Sequence, residues 1–222
     1  MDLRVREFVT QRMRAFSSQI QVISKEPEKE LNRTMSEWAL GRTAFSMDLL
    51  AYCGQRGALF EALAIARMML EQIAWAYNVG NSKDEDAVVR SSGPASISEL
   101  KRASAFAGRL YGWLSIHAHW TFEAHKKSVI TSKGDKVGHL FASSYFKAVV
   151  FCVMILLVVA AFECSWAMYP ELHKLKAEKG ARTTIPDDVK REAIQLLSQI
   201  FACDPQDRDL KQLSSMLTEE PR

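Results

Sequence analysis

The sequence predicts an all-α fold, a bundle of five to six helices with long core helices. Apolar residues recur at spacings of three and four along most of the chain, which is the period of one helix face. One segment, 58–79, is apolar almost all round, as is typical of a helix buried inside a bundle. Only residues 127–140 carry a turn signal between short apolar flanks. A short hairpin or an irregular loop would both fit there.

The first three helices follow from this periodicity. They are predicted over residues 2–24, 34–53 and 58–79. The charged segment around Pro27 separates the first two, because proline stops a helix. Gly54 and Gly57 are expected to mark the end of the second helix. Its apolar side consists of Met35, Trp38, Ala39, Phe45, Leu49 and Leu50.

The second half of the chain predicts three further helices. They cover residues 97–126, residues 143–169 and a segment that starts with Ile185-Pro-Asp-Asp, with Pro186 near its first turn. Ser96 or Ser98 can cap the first of them, and Ser96 with Glu99 has the spacing of a capping box. The centre of the next helix, 148–162, has no charged residue but is shorter than the roughly 20 residues that span a bilayer. A buried core helix is therefore favoured over a membrane-associated segment at 148–166.

Composition predicts one helical domain over residues 1–202 and a tail over 203–222 that forms a short helix or is mobile. The net charge of +3 argues against a dedicated nucleic-acid or membrane-surface protein, although a local basic patch stays open. The four cysteines form no C-x-x-C pair and are expected to be free thiols. No secretory signal opens the sequence, so a cytoplasmic location is expected.

A pair of opposite charges lies within the third, mostly apolar helix. Arg67 and Glu71 are four residues apart, so their side chains are neighbours on one helix face. An ion pair in apolar surroundings costs desolvation unless further hydrogen bonds satisfy it. The pair is therefore either an internal lock between helices or the base of a polar pocket. Both interpretations stay open at this point.

The stretch from Arg109 to His125 holds most of the other candidate residues. Tyr111, Ser115 and His119 follow one another at a spacing of four and share one side of the fourth helix. His117 lies about 200° from His119 around the helix and is expected to be a core histidine with one hydrogen bond. His119 either locks the helix through Ser115 or takes part in chemistry.

Other kinds of site are poorly supported by the sequence. His119 and Glu123 have the spacing of two metal ligands, but no second cluster completes a site, so no metal and no cofactor are predicted. A Ser115–His119 hydrolase lacks a carboxylate to orient the histidine. Glu163 follows the apolar run of the fifth helix and either reaches solvent or faces Arg67 or His119.

The pattern Arg67-x-x-x-Glu71, followed after about forty residues by Tyr111-x-x-x-Ser115-x-x-x-His119, carries a family resemblance. It resembles the HEPN-like group of bacterial helical proteins, which includes abortive-infection proteins of the AbiV type. The similarity covers roughly residues 35–170. It implies an all-α bundle and a role in anti-phage defence or in a toxin–antitoxin system.

The resemblance also implies a metal-independent ribonuclease, since active members of the group carry an arginine followed four to six residues later by a histidine and usually dimerise. Here Arg109 precedes His117 by eight positions and His119 by ten, which does not match. If the chain cleaves RNA, His119 is the candidate base for the 2′-hydroxyl, and Arg67 or Arg109 holds the phosphate. The alternative is a non-enzymatic subunit or regulator that forms a homo-oligomer or binds an operon-encoded protein.

Overall fold

The computed structural model describes most of the chain as a helical body with one small hairpin, which confirms the predicted all-α class. The described residues are 2–23, 30–118, 129–132, 136–139, 144–170 and 186–218. They contain nine helices: α1 (Asp2–Ile23), α2 (Leu31–Arg56), α3 (Leu59–Gly80), α4 (Ala87–Arg90), α5 (Gly93–Leu100), α6 (Ala107–Ala118), α7 (Ser144–Met168), α8 (Pro186–Phe201) and α9 (Arg208–Ser215).

Two apolar helices, α3 and α7, form the centre of the bundle. Residues 149–162 of α7 are all buried, because α1, α2, α3, α8 and α9 pack around this helix. The segment Tyr145–Met168 is long and apolar enough to cross a bilayer, yet 89% of its most apolar window is buried inside the protein. This enclosure favours the predicted core helix over the membrane-associated alternative.

Helix α2 packs along α3 and begins and ends outside its predicted bounds of 34 and 53. It ends at Gly57, whose φ of 74° and ψ of 14° form a left-handed cap that favours glycine. Gly54 was expected to mark the helix end but lies inside the helix. Glycine at position 54 allows α2 to pack closely against α7, because a Cβ atom there would lie 2.7 Å from Cγ1 of Val150.

The predicted continuous helix over 97–126 is wrong, because the chain turns at residues 101–106 between α5 and α6. The reason is tertiary, since both Ser104 and Phe106 in this turn are buried. The start was also misplaced: α5 begins at Gly93, ahead of the predicted serine cap. Ser96 instead donates a hydrogen bond to the carbonyl oxygen of Ser92 at 2.8 Å. Residues 119–126 lie outside the described part of the chain.

The region 127–140 contains the hairpin, one of its two predicted alternatives. Strands β1 (Val129–Ser132) and β2 (Lys136–His139) pair antiparallel, with Val129 opposite His139.

The predicted tail contains a short helix, α9, that belongs to the same hydrophobic core. Its N-terminus is capped by Asp207, whose carboxylate accepts a hydrogen bond from the backbone N–H of Leu210 at 2.8 Å. Leu210, Leu213 and Leu217 are all buried, and α9 contacts both α7 and α8. Residues up to 218 are therefore anchored to the bundle.

Candidate functional site

A polar cluster joins α3 to α6 and contains three of the predicted site residues. Arg67 Nε donates a hydrogen bond to Glu71 Oε1 at 3.0 Å, one turn further along α3. A second guanidinium nitrogen of Arg67 donates to the Tyr111 hydroxyl at 3.1 Å, and that hydroxyl donates to Glu71 Oε1 at 3.1 Å. Each side chain therefore contacts both of the others, and the cluster is a closed triangle.

The cluster lies between solvent and core. The Arg67 and Glu71 side chains are 25% and 23% exposed. Arg67 Cζ lies 5.3 Å from the centre of the Tyr111 ring, so the cation also stacks on an aromatic face. The hydrogen bond to Tyr111 raises the pKa of Arg67, and the neighbouring Glu71 raises it further. Burial acts in the opposite direction and lowers this pKa. The guanidinium therefore stays charged, and it already has partners on two helices.

Ser115 lies one turn beyond Tyr111 on α6, as the sequence predicts. Its hydroxyl oxygen is buried and has no hydrogen-bond partner within the described residues. His119, the residue of greatest functional interest in the sequence, lies outside the described residues, as does Glu123. The structure thus brings together Arg67, Glu71 and Tyr111, and it gives no geometry for the candidate base.

Arg109 lies apart from this cluster. A guanidinium nitrogen of Arg109 donates a hydrogen bond to the carbonyl oxygen of Met216 at 2.6 Å, just after α9. Arg109 and Tyr111 are two residues apart on one helix, so they point to different sides. The contact with Met216 ties the C-terminal segment to α6.

Glu163 is also remote from Arg67, in a separate pocket of about 370 Å³. Basic side chains surround this pocket: Lys101, Arg102, Arg109 and Lys190. Burial raises the pKa of the Glu163 carboxyl, while the nearby Ser104 hydroxyl and the Lys190 ammonium lower it. Glu163 Oε2 and Ser104 Oγ each lack a well-formed hydrogen bond within the described residues. The cost of burying the Glu163 carboxylate is therefore only partly offset by its neighbours.

The structure adds one polar contact that the sequence did not predict. His117 Nε2 lies 3.4 Å from Asp209 Oδ1 on α9, while Nδ1 donates to the Trp113 carbonyl oxygen at 2.8 Å. Tyr145 donates a hydrogen bond to Asp209 Oδ2 at 2.7 Å. The cavity beside these groups measures only about 10 Å³, which leaves no room for a substrate. This contact therefore connects helices, and His117 has an ion-pair contact in addition to the expected hydrogen bond.

The largest departure from the sequence prediction is on α2. Trp38, Phe45 and Leu49 belong to the apolar side that the sequence predicts for this helix, and they face solvent instead of the core. Together with two neighbours they form a line of exposed apolar side chains along the helix. We call this line the α2 stripe: Leu31 (55% exposed), Trp38 (68%), Phe45 (76%), Leu49 (45%) and Tyr52 (55%). Four of these residues are spaced by seven, which keeps them on one face.

The opposite face of α2 is buried and contains polar residues with specific partners. Asn32 donates hydrogen bonds to the carbonyl oxygens of Ser82 and Asp84, at 3.2 and 2.7 Å. Ser36 donates to the carbonyl oxygen of Ala76 on α3 at 2.7 Å. These bonds depend on the way α2 is rotated, so they fix the stripe on the outside.

Comparison of the chain with protein-family models, with curated proteins and with solved structures gives no match. The resemblance to the HEPN-like group therefore stays a prediction. Among the described residues there is also no group of three or more metal-ligating side chains.

Proposed function

We propose that this chain is a helical protein-interaction module, which binds a protein partner through the α2 stripe. The observation that carries the proposal is the exposure of five large apolar side chains in one line. Burying one such side chain contributes about 1.5–3 kcal/mol. Monomeric proteins rarely expose large contiguous apolar patches, and such patches often mark binding surfaces.

The polar cluster supports the same proposal. An enzyme site needs groups that can bind a substrate, whereas Arg67, Glu71 and Tyr111 bind one another. Mutual hydrogen bonds among side chains of two helices are typical of a structural contact. The cluster then stabilises the scaffold that presents α2. In this proposal the protein works in the cytoplasm as a subunit or regulator, beside an operon-encoded partner or another copy of itself.

Site-specific photocrosslinking in cells tests this function. A photoreactive phenylalanine analogue replaces Phe45, and in a control it replaces Val89, which is 85% exposed on α4 and lies outside the stripe. We expect crosslinked protein at position 45 and none at position 89, with the bound protein identified by mass spectrometry. Absence of a crosslink at position 45 contradicts the proposal.

A second candidate function is a HEPN-like ribonuclease in an anti-phage defence or toxin–antitoxin system. Its support is the partly exposed position of Arg67 beside Tyr111, with the unpartnered Ser115 hydroxyl one turn closer to His119. In this proposal His119 takes the proton from the RNA 2′-hydroxyl and Arg67 holds the phosphate.

The ribonuclease candidate is tested with His119→Ala. Wild type and variant are compared for RNA cleavage in vitro and for toxicity on expression, after circular dichroism shows that both fold. Loss of both effects in the variant supports catalysis, and equal behaviour of the two folded proteins rules out His119 as the base.

A further inference from the structure

We propose that the pocket around Glu163 binds a free nucleoside monophosphate, with the phosphate at the basic side chains and the N–H groups of the base at the Glu163 carboxylate. This inference goes beyond the proposed function, because the described lining of the pocket comes from parts of the chain other than α2. It rests on three properties of one pocket of about 370 Å³: positive charge, a buried acceptor and an apolar wall. Small-molecule sites usually measure about 300–1,000 Å³ and combine apolar walls with a few polar groups.

Positive charge is the first property of the pocket. The turn after α5, helix α6 and helix α8 together contribute four basic side chains: Lys101, Arg102, Arg109 and Lys190. Arg102 also pairs with Glu99 at 2.6 Å, and Arg109 also donates to the Met216 carbonyl oxygen. Among the described lining residues these four cations face one carboxylate, so the charge of the pocket favours an anion. Lysine and arginine bind phosphate through charge-assisted hydrogen bonds.

The buried acceptor is Glu163. Its Oε2 atom is buried and has no hydrogen-bond partner within the described residues, so it can accept a bond from a ligand. An ionised carboxylate only accepts hydrogen bonds, and its complement is therefore a donor. Guanine carries two N–H donors side by side on one edge, which match the two oxygens of one carboxylate. A donor bound there would also offset the remaining cost of burying Glu163.

The apolar wall distinguishes a nucleotide from a simple anion. Phe106 lines the pocket from the turn between α5 and α6, and Met216 and Leu217 line it from the segment after α9. Arg109 holds this segment in place through its bond to the Met216 carbonyl oxygen at 2.6 Å. A nucleobase has apolar faces and polar edges, so it suits a pocket with both kinds of lining. An inorganic anion would use the charge alone.

Isothermal titration calorimetry with guanosine monophosphate tests the site on the full chain. We expect one molecule to bind per chain, and guanosine without its phosphate to bind roughly tenfold more weakly or worse. Lys190→Ala removes a phosphate partner and should weaken binding of the nucleotide roughly tenfold. Arg191→Ala is the matched control, because it removes the same charge from the next position of α8. Arg191 is exposed and pairs with Asp188 at 3.3 Å, so its loss should leave the affinity unchanged.

Glu163→Gln tests recognition of the base. The change keeps the shape of the side chain but replaces one acceptor oxygen with an NH₂ donor, which opposes the donors of guanine. The affinity for guanosine monophosphate should therefore fall roughly tenfold. The affinity for inorganic phosphate should stay the same or rise, because the variant removes a negative charge. Circular dichroism checks that each variant folds.

The outcomes decide each part of the proposal. Absence of heat with guanosine monophosphate overturns the site. Equal weakening by Lys190→Ala and Arg191→Ala places the nucleotide elsewhere and overturns it too. An affinity that is no higher than that for inorganic phosphate, or that Glu163→Gln leaves unchanged, overturns the assignment of a nucleotide. None of these results affects photocrosslinking at position 45, so the proposed function is tested separately.

Discussion

Replacing Tyr111 with phenylalanine tests whether the polar cluster holds α3 and α6 together. The change removes the hydroxyl that donates to Glu71 and accepts from Arg67, both at 3.1 Å, and it keeps the ring under the guanidinium. Hydrogen bonds to charged groups contribute roughly 1.5–3 kcal/mol. Because the Arg67 and Glu71 side chains are 25% and 23% exposed, water can replace part of the hydrogen bonding that they lose. We expect the free energy of unfolding to fall by about 1–2 kcal/mol.

Urea unfolding followed by circular dichroism measures this change. The midpoint should fall while the slope of free energy against urea stays constant, since the surface exposed on unfolding is the same. A double-mutant cycle with Glu71→Gln should give a coupling energy of about 0.5–1.5 kcal/mol. Val89→Ala, at a position on α4 that is 85% exposed and outside the stripe, is the control and should change stability by less than about 0.5 kcal/mol. A Tyr111→Phe variant as stable as wild type refutes the structural role, and loss of RNA cleavage in that variant would favour the catalytic one.

Three further predictions concern other contacts in the bundle. Gly54→Ala should lower the free energy of unfolding by about 1–3 kcal/mol, measured by urea unfolding, because the new methyl group would lie 2.7 Å from Val150. Glu163→Gln should raise the melting temperature at pH 8 and have little effect near pH 4. Burial raises the folded pKa of this carboxyl above 4.5, so its contribution to stability is fully present at acid pH and is lost as pH rises through the folded pKa. Asp209→Asn removes the charge 3.4 Å from His117, so amide hydrogens of α9 should exchange faster, while those of α3 stay protected.

Helices whose residues are apolar on nearly every side could be predicted from the sequence. The apolar character of α3 and α7 predicts burial whatever their neighbours are. Most of α7 is buried, and α3 is buried except on a side that includes Met68, which is 49% exposed. The turn at 101–106 could not be predicted, because nothing local in that segment forbids a helix. Burial of Ser104 and Phe106 decides the break, and burial depends on the position of other helices.

Polar contacts within one helix could be predicted from the sequence, whereas polar contacts between helices could not. Arg67 and Glu71 could be paired because their spacing of four fixes their proximity on any helix. Their contact with Tyr111 depends on how α6 lies against α3. The contact of His117 with Asp209 joins residues far apart in the chain, and no sequence period connects them. Spacing predicts contacts within one helix, and packing decides contacts between helices.

The exposure of the predicted apolar side of α2 is informative about function. Four apolar residues of this helix recur every seven positions, a spacing typical of a helix face that packs against another helix, yet Trp38 and Phe45 face solvent. A wrong rotation of the helix does not explain this, since Asn32 and Ser36 on the other face have specific hydrogen-bond partners in the bundle. Apolar periodicity reflects burial in the final assembly, whether the cover comes from the same chain or from another. The described residues leave this face uncovered, and this exposure supports the proposal of a protein partner.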